Sequence, residues 1–85
     1  MKVRQRAATD VLARDGETAI LVDGNIVRLG ELSSMIYALC ESPVDIWVLA
    51  AELEARFGAP ADRSTVQATT DSVAEMVRAG LLTHE

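Results

Sequence analysis

The sequence predicts an α+β domain: a three-stranded antiparallel sheet in the first third of the chain, followed by three helices. Two observations carry this. Before residue 30, β-branched and aliphatic residues gather in short runs separated by Asp15-Gly16 and Asp23-Gly24. Asp-Gly between β-rich runs is a strong hairpin signal, because both central turn residues must tolerate positive φ. Beyond residue 30 the apolar residues recur at helical spacing, the pattern of elements that bury one face.

Taken in order, Asp10-Val11-Leu12-Ala13-Arg14 is the first strand and ends at Asp15-Gly16. Residues 18–22 form the second strand, Asp23-Gly24 the turn, and residues 25–29 the third, with Gly30 closing the sheet. Leu32, Met35, Ile36, Leu39 and Cys40 then fall at i, i+3, i+4, i+7 and i+8, one stripe on a helix. Ser42-Pro43 ends it, since the residue before proline is pushed out of the α region. Asp45 is the expected N-cap of a second helix with the stripe Ile46, Leu49, Ala50, Leu53 and Phe57, stopped by Gly58-Ala59-Pro60. Ser64-Thr65-Val66-Gln67 is a capping-box pattern opening the third helix. Its stripe is Val66, Thr69 or Thr70, Val73, Met76 and Val77; Gly80 ends it, and Leu81 and Leu82 fold back as an apolar tail.

Eighty-five residues hold a single domain, residues 1–85, and so short a chain buries only about 60–65 % of its unfolded surface. Its 49 % hydrophobic and 25 % charged residues exclude disorder as the main state. The net charge of −5 repels phosphate backbones and anionic membrane surfaces, and three aromatic residues provide no row of rings for stacking on bases. No nucleic-acid or membrane partner is expected. The charge is uneven: Lys2, Arg4, Arg6 and Arg14 stand against Asp10 alone, and twelve of the thirteen acidic residues follow residue 14. Residues 1–9 therefore read as a flexible, solvated basic arm. A lone cysteine, no apolar run near the roughly 20 residues that span a bilayer and no signal-peptide core after Met1-Lys2-Val3-Arg4 indicate a cytoplasmic protein.

Little here suggests catalysis. His84 lies one residue from the C-terminus, Cys40 sits on a buried stripe with no nearby His, and Glu52 and Glu54 do not share a helix face. No metal-ligand pattern or phosphate loop occurs, so the expectation is a non-enzyme without cofactor, metal or catalytic residue. Asp71-Ser72-Val73 imitates the phosphopantetheine site of acyl carrier proteins, but its serine falls inside a helix near the chain end rather than at a helix start. Trp47, beside the stripe of the second helix, is expected to be partly buried by packing.

The runs Ala19-Ile20-Leu21-Val22 and Ile26-Val27-Arg28-Leu29, the helix at 32–40, the stretch from Asp45 to Gly58 with its Arg56-Phe57-Gly58 close, and the ending Met76-Val77-Arg78-Ala79-Gly80-Leu81-Leu82 resemble the PqqD-like family. Its members are named for pyrroloquinoline quinone biosynthesis protein D and serve as recognition elements for ribosomally made, post-translationally modified peptides (RiPPs). The resemblance spans about residues 10–82 and lies in hydrophobic pattern. Many members carry Leu-Asn at the start of the first helix, where this chain reads Leu29-Gly30-Glu31-Leu32.

The resemblance implies a winged-helix-like fold that binds the leader segment of a precursor peptide and delivers it to a tailoring enzyme or leader protease. The leader adds as a strand beside the third strand, in the cleft between it and the third helix. The implied peptide-binding residues are Asn25, Ile26, Val27, Arg28 and Leu29 on the strand and Thr69, Thr70, Val73, Met76 and Val77 on the helix. By alternation Val27 and Leu29 are assigned to the core, leaving Ile26 and Arg28 for the peptide side. Which of these amides point toward the open edge stays open at this stage, as does monomer against homodimer. Two other readings exist: a winged-helix DNA-binding regulator, whose third helix would mix Arg63 and Arg78 with Asp71 and Glu75, and a structural subunit of an obligate complex.

Overall fold

A computed structural model describes residues 2–8 and 10–85 of the chain. The described residues form a small α+β domain in the order β1 (Lys2–Gln5), β2 (Asp10–Arg14), β3 (Glu17–Val22), β4 (Asn25–Leu29), α1 (Glu31–Leu39), β5 (Val44–Asp45), α2 (Ile46–Phe57), α3 (Thr65–Arg78) and β6 (Leu82–His84). The elements make two three-stranded antiparallel sheets, ordered β2-β3-β4 and β5-β1-β6. The first is the sheet expected from the two Asp-Gly turns. Asp15 and Gly16 have φ of 52° and 79°, Asp23 and Gly24 of 49° and 78°, so each loop has the two left-handed residues of a type I′ turn. Two such loops in succession fix the registers Arg14↔Glu17 and Val22↔Asn25.

The helices pack on one face of this sheet. Thr18, Ile20 and Val22 of β3 and Leu29 of β4 are buried, while Leu12, Ile26 and Arg28 lie exposed on the opposite face. The sheet residues meet Ile36 and Tyr37 of α1, Leu49 and Leu53 of α2, and Val73 and Met76 of α3 in one core. Cys40 is fully buried in it, and burial pushes its thiol up to about 11. As the N-capping patterns require, Asp45 accepts from the Trp47 amide at 2.9 Å and Ser64 from the Gln67 amide at 3.1 Å. The Trp47 N–H bond also lowers the Asp45 carboxyl below its ordinary value. Trp47 itself differs from the packing expected of it. It is 68 % exposed, because it lies one residue off the Ile46-Leu49-Ala50-Leu53 stripe and faces outward.

The second sheet was not expected. Lys2–Gln5, read as part of a flexible arm, is its central strand, with Val3 fully buried. Met1 and Thr9, also in that arm, lie outside the described residues. The return of the chain end makes this strand possible. Gly80, at φ 81°, donates to the Val77 carbonyl at 3.0 Å and Leu81 donates to the Met76 carbonyl at 2.9 Å. This is a Schellman turn, in which the residue after the helix must be left-handed. It directs Leu81 and Leu82 into the core and lays β6 beside β1, where Arg4 meets Glu85 at 3.0 Å.

Candidate functional site

The site is built on β4, an edge strand with β3 on one side and an open flank on the other. The two-residue loop Asp23-Gly24 makes Val22 and Asn25 the pair that closes the hairpin, and a closing pair exchanges N–H···O bonds. Along an antiparallel ladder, bonded and non-bonded pairs alternate. Asn25, Val27 and Leu29 therefore turn their main-chain groups to β3. Ile26 and Arg28 turn theirs to the open edge, which settles the parity that the sequence leaves open. The C-terminal end of β4 is pinned to α1: Ser34 Oγ donates to the Leu29 carbonyl at 3.1 Å and the Ser34 amide to the Gly30 carbonyl at 2.8 Å.

Between this edge and α3 runs a cleft of about 330 Å³. Leu29, Met76 and Leu81 form its buried apolar floor, and Val27 and Arg28 stand on the β4 side. Ser72, Glu75 and Ala79 form the α3 side. Among the described residues neither Arg28 nor Glu75 has an ion-pair partner. Glu75 thus puts an anion on the helix wall of the cleft, while the Arg28 side chain stands on the outer face of the same edge strand.

The structure brings some of the expected residues together and separates others. Val27, Arg28, Leu29 and Met76 line the cleft, and Asn25 and Ile26 continue its strand. Ile26 is 71 % exposed, with its side chain on the outer face of the sheet. Val27 is half-buried and Leu29 buried, as alternation requires. The other four helix residues lie elsewhere. Thr69 is buried and lines a separate apolar slot of about 220 Å³ among Ile36, Leu53 and Phe57. Thr70 bonds to the Val66 carbonyl at 2.7 Å, Val73 is core, and Val77 packs half-buried against the core. A helical apolar stripe marks the face turned to the core. The row beside it, Ser72, Glu75 and Ala79, turns to the cleft and was missed.

Chemically, such an arrangement can hold an extended segment. Two outward N–H and C=O sets on β4 can pair with a strand, and the floor can take an apolar side chain from it. Among the described residues no cluster of three His, Cys, Asp or Glu side chains is placed to hold a metal ion. Nor is any of their helices long and apolar enough to cross a membrane. Comparison of the chain with family models, curated proteins and solved structures finds no match.

Proposed function

We propose that this chain binds an extended peptide by strand addition to β4, the third strand of its hairpin sheet. One apolar peptide side chain sits over Leu29, Met76 and Leu81, and Arg28 pairs with a peptide carboxylate. The observation that carries the reading is an open edge with outward main-chain groups at Ile26 and Arg28, standing beside an apolar-floored cleft. Edge hydrogen bonds supply sequence-independent affinity and the cleft supplies selection. The resemblance to PqqD-like recognition elements makes the α+β fold winged-helix-like and names the peptide class. It is the leader of a ribosomally made precursor, handed on to a tailoring enzyme or leader protease in the cytoplasm. On this reading the chain has no chemistry of its own.

The arginines beside α3 favour the peptide over DNA. Arg63 is held by Asp71 at 2.8 Å, and Glu75 lies between that pair and Arg78, so the helix offers no basic face to a phosphate backbone. The test is fluorescence anisotropy with a labelled leader peptide from a short reading frame beside this gene. Wild type should bind, and Ser72→Phe, which fills the cleft without touching the edge, should weaken binding about tenfold or more. Equal affinity of the two proteins contradicts the proposed site.

A further inference from the structure

The sheet has a second open edge, β2, and its sequence is matched to itself. All five residues of Asp10-Val11-Leu12-Ala13-Arg14 are exposed, with Val11 at 44 % and Leu12 at 64 %, so no other described part of the chain covers this flank. The type I′ loop Asp15-Gly16 makes Arg14 and Glu17 the closing pair. By alternation Asp10, Leu12 and Arg14 turn their main-chain groups to β3, while Val11 and Ala13 turn theirs outward. The Val11 amide fits this: lacking a strand partner, it donates to the Asp10 carboxylate at 2.9 Å.

We propose that β2 is a self-association edge, on which a second copy of this chain pairs antiparallel about Leu12. In that register Val11 faces Ala13 of the other copy, and the two exchange both N–H···O bonds with the groups that point outward. Leu12 faces Leu12 and each Asp10 faces an Arg14. These are non-hydrogen-bonded pairs, the kind that brings opposed side chains closest. Neither Asp10 nor Arg14 has an ion-pair partner among the described residues of one copy, and pairing gives each a partner of opposite sign. The Asp10 carboxylate is released from the Val11 amide as that amide finds a carbonyl.

Charge singles out this edge for the second copy. Each chain carries −5, so two copies repel over most approaches, whereas β2 is neutral and reads as opposite charges when reversed. On the outer face, Leu12 adjoins an apolar patch with Ala19, Leu21 and Ile26, and the paired Leu12 side chains make the two patches continuous. The contact is one strand wide, so the dimer is weak and concentration-dependent. It joins the two sheets into one and leaves both β4 edges free at its ends.

Sedimentation equilibrium over a wide concentration range tests this, with each variant first melted to show that it folds. The wild-type average mass should rise from 9.1 kDa toward twice that value. Arg14→Asp and Asp10→Arg should each raise the dissociation constant about tenfold or more, since both cross-pairs become like-charged. An equimolar mixture of these two variants should dimerise again, because every cross-pair is then opposite in sign. Val11→Pro, which removes an outward N–H and its exposed bond to the Asp10 carboxylate but no bond to β3, should keep the melting temperature within a few degrees and lose the dimer. A wild type that stays monomeric throughout overturns the proposal. So does a dimer that both charge variants leave unchanged, or a mixture no more associated than its components.

Discussion

The edges β2 and β4 belong to one sheet, leave similar hairpin loops and expose the same kind of main-chain groups, yet they face different surroundings. Behind β4 stands α3, which turns the edge into a cleft with a buried apolar floor and the charge of Glu75 on its helix wall. Behind β2 the described residues place nothing, and its only discrimination lies in its own alternation of charge and apolar residues. An edge alone selects a partner whose sequence complements it. An edge with a wall can also select by side-chain size and sign. The difference arises from where the helical layer stops rather than from the strands.

Substitutions that break one edge and spare the other sharpen this contrast. Val27→Pro has the largest expected effect. It removes an N–H that bonds β3 and leaves a buried carbonyl unpaired, a loss of about 3 kcal/mol, read as a fall of more than about 10 °C in Tm. Ile26→Pro removes an N–H that points to the open edge and bonds no strand among the described residues. Its Tm should stay within a few degrees of wild type while anisotropy shows peptide affinity falling about tenfold. The same change in β2, Val11→Pro, should leave peptide affinity as it is. Gly80→Ala should cost about 1 kcal/mol in thermal melts, because φ of 81° is strained for any side chain and the new Cβ would meet Arg6 Nη1 at 3.2 Å. Arg28→Ala comes last: an exposed pair contributes about 0–1 kcal/mol, so calorimetry should show only a few-fold loss of peptide affinity.

What the sequence made legible was local. The Asp-Gly loops impose positive φ within two residues and announce both hairpins, and the helix stripes and N-caps act within one or two turns. The strand at Lys2–Gln5 has no such signal. Val3 is its one apolar residue, and its partners Val44 and Leu82–His84 arrive from distant parts of the chain. The cleft was half legible. Alternation placed Val27 and Leu29 inward, but the α3 stripe pointed to the core. The wall residues Ser72, Glu75 and Ala79 are small or polar and look like ordinary surface until β4 is set beside them. Trp47 shows the opposite lapse, since its side-chain type suggested burial whereas its phase on α2 turns it to solvent.

The central claim is that a peptide completes the open edge of β4, and amide hydrogen exchange followed by NMR addresses it residue by residue. In the free protein the Val27 and Leu29 amides should exchange slowly, and those of Ile26 and Arg28 quickly. Saturating leader peptide should slow Ile26 and Arg28 markedly while the Val11 and Ala13 amides on β2 keep their rates. A peptide that binds and leaves the Ile26 and Arg28 amides as fast as before, or that protects those of β2 instead, would contradict the account.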